Sequence, residues 1–330
     1  MNKSIILGKV SVIIPTFKRP GELGRAINSV LAQTYSNIEV VVVDDNNDGD
    51  EFRKETELFM KRFESNVRVK YIKHTKNQNG SAARNTGIAN SDGEFIAFLD
   101  DDDFYLSDRI EHDLDLLNES KEDIAGICSG YLKMYKKYIY KVGTERREDD
   151  SCYSLLSGLV DYAAGSTFLV KRSVVEKVGG FDTSFYKHQD WEFLIKIFEY
   201  YKILTTEHIG VVICTDGYRN NTNTERLINI KKYLLSTFDN TLRTLPQQQY
   251  NDIIRHQAIE VFNSYLQNGK MREGVRYLKS ENSNWGKSIN WVNTFYYYLS
   301  HYLPQIKYLT MLLYGYKNRN YKKYIMDYEK

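Results

Sequence analysis

The chain has 330 residues, 45 Lys+Arg against 43 Asp+Glu, and a formal net charge of +2. That length suits one large domain or one domain with an appendage, and a composition 42% hydrophobic and 27% charged excludes wholesale disorder. Three widely spaced cysteines (Cys128, Cys152, Cys214) exclude a disulfide framework and a cysteine-cluster zinc site, and no stretch approaches the ~20 apolar residues of a membrane-spanning helix.

The opening run MNKSIILGKVSVIIP is too short in apolar residues for a secretory signal and is interrupted by Lys9, so a cytoplasmic protein is expected. Val10–Ile14 is a short apolar run ended by Pro15, which suits a buried parallel strand. Gly21–Gln33 carries Leu23, Ala26, Ile27, Val30 and Leu31 at helical spacing. Ile38–Val43 reads as a second strand running into Asp44-Asp45, and Glu51–Phe63 as a second helix. Val67–Ile72 is the third strand, Ser81–Ala89 a short Ala-rich helix, and Phe95–Leu99 a fourth strand that runs into Asp100–Asp103. This alternation predicts an α/β fold with a mostly parallel central sheet, and ligands in such sheets bind beyond the carboxyl ends of the strands. After Tyr105 the alternation weakens. Ala125–Tyr135 and Phe168–Val170 read as strands, Asp190–Tyr201 as a helix, and the chain from Leu227 onward as mainly helical.

The polar groups collect at the predicted strand ends. Four adjacent aspartates after an apolar strand repel one another and raise one another's pKa unless a cation neutralises them. Mg²⁺ or Mn²⁺, with hard oxygen ligands, is the natural remedy. A helix cap with a solvated charge run is the competing structural reading. Asp44-Asp45-Asn46-Asn47-Asp48-Gly49 followed by Glu55 also satisfies the calcium-loop pattern. Its context is wrong, because that loop lies between two helices and this segment follows the strand IEVVVV. Turn chemistry before a helix fits it better. No G-x-G-x-x-G follows the first strand, and neither a P-loop motif nor G-x-S-x-G is present, which disfavours a dinucleotide dehydrogenase, a P-loop NTPase and an α/β-hydrolase. The six histidines lack zinc-ligand spacing, and no nucleic-acid partner is expected.

In order, the segments SVIIPTFKRP, VVVDDNNDGD, GSAARNTGI, GEFIAFLDDDDFYLSDRI, GGFDTSF and HQDWEF resemble glycosyltransferase family 2, over roughly Val10 to Tyr218. The resemblance implies the GT-A nucleotide-diphospho-sugar transferase fold, Rossmann-like, in a catalytic domain spanning 1–222, with a mainly helical region over 223–330. It also implies inversion at the anomeric carbon and a nucleotide-diphospho-sugar donor, UDP-sugar by default, with a glycan or lipid-linked acceptor. On this resemblance Pro15 and Thr16 start the nucleotide pocket, and Asp44 and Asp45 read the base. Gly80 lets backbone approach the nucleotide, and Arg84 contacts the diphosphate. Asp102 is the direct metal ligand, Asp100 and Asp101 belong with the donor, and Asp103 meets the sugar or the metal's waters. Asp190 stands in the position of the catalytic base, with His188, Gln189 and Trp191 on the acceptor side. Three departures matter: Gln189 stands where the family often has Glu, Asn221 stands where many members have a histidine, and the Q-x-x-R-W signature of processive members is absent. The last argues for a single-addition transferase rather than a processive polysaccharide synthase. A sugar nucleotidyltransferase and a silent sugar-nucleotide-binding module are the competing classes on this architecture.

The near-neutral total hides an asymmetry. From Glu225 to Lys330 there are 16 Lys+Arg against 8 Asp+Glu, a local charge of +8 that leaves −6 on the first 224 residues. Trp291–Tyr316 is rich in aromatic and aliphatic side chains, and Lys317, Arg319, Lys322 and Lys323 follow. Rings beside basic groups suit an interface of acyl chains and anionic head groups, so peripheral attachment to the cytoplasmic face of a membrane is one expectation. Packing against the catalytic domain, or a contact in a homo-oligomer, is the other.

Overall fold

The computed structural model describes residues 4–281 apart from 137, 145–146, 150, 161, 163–164 and 216–222. Both Asn221 and the aromatic-basic stretch from Trp291 onward lie outside the described residues. The elements run β1 (Ile6–Thr16), α1 (Pro20–Leu31), β2 (Ile38–Asp44), α2 (Glu51–Met60), β3 (Val69–Lys73), α3 (Gly80–Ala89) and β4 (Gly93–Phe98). Next come β5 (Phe104–Tyr105), α4 (Arg109–Asn118), β6 (Ile124–Tyr135), β7 (Tyr138–Gly143), β8 (Arg147–Asp149), α5 (Cys152–Leu156), β9 (Phe168–Lys171) and α6 (Arg172–Val178). The chain continues through α7 (Gln189–Phe198), β10 (Lys202–Cys214), α8 (Thr224–Thr237), α9 (Asp239–Arg243), α10 (Gln247–Gln267) and α11 (Met271–Glu281).

One sheet holds the strands in the order β3-β2-β1-β4-β9-β6-β10-β5, with β7 beside β6 and β8 beside β10. The first four strands are parallel, as the alternating pattern requires. The second half is mixed: β9 runs antiparallel to both β4 and β6, while β6 and β10 are parallel. Register sets the functional edge. Thr16 pairs with Asp44, and Ile13 pairs with Phe98, so β1, β2 and β4 all deliver their C-terminal residues to one side of the sheet.

The apolar runs are continuous because both faces of this sheet are covered. Val10, Val12 and Ile14 of β1 and Val40 and Val42 of β2 pack with Leu23, Ala26 and Ile27 of α1 and Ile110 of α4. Ile13, Val41 and Val43 face the other way, toward Ala83 of α3 and Phe193, Leu194 and Ile197 of α7. Leu234, Phe238, Leu242 and Ile253, from the helices after residue 223, belong to that same core. Each such fully buried side chain contributes about 1.5–3 kcal/mol relative to exposure. The α8–α10 segment is therefore welded to the α7 side of the sheet. Among the described residues, no helix is long and apolar enough to cross a membrane.

Candidate active site

At the carboxyl end of β4 the chain makes a tight turn, with Asp103 N–H donating to the Asp100 carbonyl at 3.0 Å. The four carboxylates of that turn meet different partners. Asp101 is buried, and its Oδ2 accepts from the Thr16 hydroxyl at 2.7 Å and its Oδ1 from Arg19 Nη1 at 3.0 Å. The same Arg19 nitrogen lies 2.8 Å from Asp102 Oδ2. Asp103 is buried and accepts from Ser166 Oγ at 2.6 Å and from Cys214 N–H at 2.9 Å. Asp100 is half-buried and pairs with Arg84 Nη2 at 2.5 Å.

These partners do not neutralise the cluster. Burial pushes the Asp101 carboxyl up to about 7, with Arg19 opposing and Asp102 adding to the rise. Burial, then Asp102 and Asp100, hold Asp103 well above the ordinary carboxylate range. One oxygen each from Asp100, Asp102 and Asp103 lie within 4.8 Å of one another. An all-carboxylate donor set with this unmet charge fits a hard divalent cation.

Asp190 stands beside Gln189 at the start of α7. It is the second residue of α7, whose preceding cap, His188, sits in left-handed backbone at φ 59°. Asp190 Oδ1 accepts from the Trp191 N–H at 3.0 Å. Burial raises its pKa, Arg84 pulls it back, and Asp100 raises it further, so the carboxyl shares its electrostatic space with the donor-side residues. Gln189 makes the link: its Oε1 accepts from Arg84 Nη1 at 3.0 Å, and its amide donates to the Phe185 carbonyl at 3.0 Å. One guanidinium thus ties the helix that carries Asp190 to the aspartate cluster.

A cleft of about 350 Å³ lies over this link, lined by Pro15, Thr16, Arg19, Asp45, Gly80, Arg84, Asp100, Asp101 and Gln189 among others. A Cβ on Gly80 would lie 2.9 Å from Arg84 Nη1 and 3.1 Å from Gln189 Oε1, so Gly80 makes room for the bridge. Asp44 does not line the cleft. It is wholly buried, accepting from Asn46 N–H at 2.9 Å and Tyr71 OH at 2.5 Å, with Arg53 Nε at 3.3 Å. That position leaves it unsuited to base reading, and the calcium-loop pattern has lost its first ligand to the interior. Asp45 does reach the cleft, but it is crowded by donors: His74 Nδ1 at 2.7 Å, Gln78 N–H at 2.8 Å, Asn77 Nδ2 at 2.8 Å and Asn79 N–H at 3.0 Å.

Trp191 is not an open platform. The His188 ring stacks on it at 4.4 Å, and Lys231 Nζ of α8 lies 4.4 Å from its ring centre. Asn85 is structural, since it clamps Phe181 through both its backbone N–H (2.9 Å) and its carbonyl (2.7 Å). Glu192 is buried against Lys196 at 2.6 Å and accepts from Asp182 N–H at 3.1 Å. Sequence reasoning missed Arg19, Ser166 and Lys231. Only the basic residue four positions after the strand-end proline offered a signal, for Arg19.

Residues 11–179 match the family profile described as glycosyl transferase family 2. An uncharacterized glycosyltransferase of Rickettsia bellii is 33% identical over 196 residues, 57% of this chain and 27% of that protein. One from Rickettsia prowazekii is 32% identical over 205 residues, 60% of this chain and 61% of that one. The poly(ribitol-phosphate) beta-N-acetylglucosaminyltransferase TarP of Staphylococcus aureus is 32% identical over 177 residues, 51% of this chain and 50% of TarP. The chain thus spans between about a quarter and three fifths of the length of these relatives. Among solved structures, S. aureus TarS 1–349 in complex with UDP-GlcNAc superposes with a TM-score of 0.56 at 16% identity, covering 97% of this chain and 91% of that one. At that identity the likeness is one of fold.

Proposed function

The chain belongs to glycosyl transferase family 2, and from that premise we propose that it is an inverting glycosyltransferase. It moves a sugar from a nucleotide-diphospho-sugar to an acceptor hydroxyl. The observation that supports the reading is the bridge from Gln189 through Arg84 to Asp100, which ties the residue next to Asp190 to the first aspartate of the cluster, with Asp190 itself feeling the charges of Arg84 and Asp100. Asp190 takes the proton from the acceptor hydroxyl as that oxygen bonds to the anomeric carbon. The bond from that carbon to the diphosphate oxygen breaks on the opposite face, and the nucleoside diphosphate leaves with the electron pair. Arg84 and Arg19 border the space the departing diphosphate would occupy, and a fixed guanidinium suits its oxygens. Asp100, Asp102 and Asp103 would hold Mg²⁺ or Mn²⁺, which supplies Lewis-acid stabilisation of the leaving group.

UDP-sugar is the proposed donor, with UDP-GlcNAc as the first candidate because TarS is complexed with it and TarP is named for the sugar. The proposed acceptor is a glycan or lipid-linked glycan in cell-surface polymer synthesis, met at the cytoplasmic face of the membrane. Pro15, Thr16 and Asp45 border the nucleotide, and His188 and Gln189 the acceptor side. Incubation with UDP-GlcNAc and Mn²⁺, followed by phosphate-species analysis, tests this. Transfer or hydrolysis releases UDP. A sugar nucleotidyltransferase would instead make pyrophosphate exchange into the nucleotide, and a binding module would leave the donor intact.

A further inference from the structure

We propose that Lys231, on the helical segment beyond the family's matched residues, is a positioning residue for Asp190, acting through Trp191 and His188. The inference rests on the reading of Asp190 as the base. Lys231 is only 4% exposed, on α8, and is ion-paired with Glu260 of α10. Its ammonium lies 4.4 Å from the Trp191 ring centre, and Trp191 is the residue next to Asp190. On Trp191 the His188 ring stacks at 4.4 Å with 24° between planes.

His188 is where the arrangement does its mechanical work. It caps α7 in left-handed backbone, φ 59°, and among the described residues its side chain makes no cap hydrogen bond and its buried Nε2 has no partner. A non-glycine residue in that region is strained and persists only where its surroundings hold it. Its surroundings include the Trp191 ring, which Lys231 also contacts. A desolvated cation over an indole face is a strong contact of this type. The turn His188–Asp190 sets the direction in which the base carboxylate leaves the helix. Tyr233, two residues along α8, reinforces the same loop, with its hydroxyl 2.9 Å from Ser184 Oγ and its ring 4.9 Å from Phe185. The α8–α10 segment therefore serves as the back wall of the base, not a separate appendage.

The full chain with Lys231→Met, Lys231→Arg or Glu260→Gln separates positioning from simple stability. UDP release from UDP-GlcNAc with Mn²⁺ gives turnover, calorimetry with UDP and Mn²⁺ gives donor-side affinity, and thermal unfolding reports the fold. Lys231→Met lowers kcat by about 10- to 100-fold with UDP affinity unchanged, the size expected when a reacting group is displaced by about 1 Å. Lys231→Arg restores most of the rate, and Glu260→Gln lowers kcat in the same direction if Lys231→Met does not fold. A second readout is independent of turnover: with Trp285→Phe and Trp291→Phe in place, acrylamide quenching of the remaining Trp191 rises in Lys231→Met and returns in Lys231→Arg. Unchanged kcat and quenching in the folded variants overturn the inference, as does a loss of UDP affinity matching the loss of rate. Asp190→Asn in the same assay keeps the two ideas apart. A wild-type rate there sinks the base reading, whereas a slow Asp190→Asn beside a fast Lys231→Met sinks only the role of Lys231.

Discussion

Two strand ends carry adjacent aspartates after an apolar run, and they have opposite fates. At the end of β2, Asp44 and Asp45 meet an excess of donors: backbone N–H groups, Asn46, Asn77, Tyr71, His74 and Arg53. At the end of β4, four carboxylates share two arginines and a few hydroxyl and amide donors, and burial drives two of them well above the usual range. The first pair is a structural knot that shapes the loop leading into α3. The second is a cluster whose ionised forms lack donors, so that two of its carboxyls are held toward the protonated form. A run of Asp in the sequence does not distinguish these outcomes; the donor supply around each oxygen does.

Replacing one carboxylate at each end would break the comparison if the two behaved alike. Asp102→Ala is expected to reduce Mn²⁺-dependent UDP affinity by more than ~100-fold, since even outer-shell partners of a metal cost ~10–100-fold. Its thermal midpoint should stay level or rise, because Asp102 adds to the strain on Asp101 and Asp103. Asp44→Ala should do the reverse. It strands the buried Arg53 guanidinium, at a cost of about 3–5 kcal/mol, visible as a large drop in denaturant midpoint. Loss of UDP affinity in Asp44→Ala without loss of stability would return Asp44 to the nucleotide.

A smaller effect sharpens the electrostatic side. A general base works only when ionised, so turnover falls as pH drops through its pKa. The Asp190 pKa is raised, so the acid limb of kcat should lie above the ordinary aspartate range. Arg84 holds that pKa down, so Arg84→Gln should move the limb to still higher pH at saturating donor. A limb that moves to lower pH, read from a kcat–pH profile, would show that Asp190 and Arg84 do not share the cleft.

Much of this was legible in the chain. β1 to β4 and their helices followed from apolar runs and strand-end punctuation, because a sheet covered on both faces needs continuous apolar strands. The aspartate cluster was legible because four like charges after FIAFL have no packing explanation, whereas Asp190 was singled out only through the resemblance of HQDWEF to the family's segment. β10 was not. Glu207 and His208 interrupt its apolar pattern at the register shift between Thr205 and Ile209, so period-2 reading fails there. Arg19, Ser166 and Lys231 were out of reach for a different reason. Their partners lie 82, 63 and 40 residues away in sequence, and only the fold brings an ordinary Arg, Ser or Lys to a carboxylate or an indole face. Asp44 shows the opposite limit: its sequence context matches a ligand-facing aspartate, and only the fold shows the buried Arg53 and half-buried Tyr71 beside it.

Asp190 is proposed as the base of glycosyl transfer from a nucleotide sugar. The most direct measurement compares wild type and Asp190→Asn for UDP-GlcNAc affinity and for UDP release in the presence of Mn²⁺. The account predicts equal affinity and a rate lower by ~10²–10⁴-fold in the variant. Turnover of Asp190→Asn at the wild-type rate would contradict it.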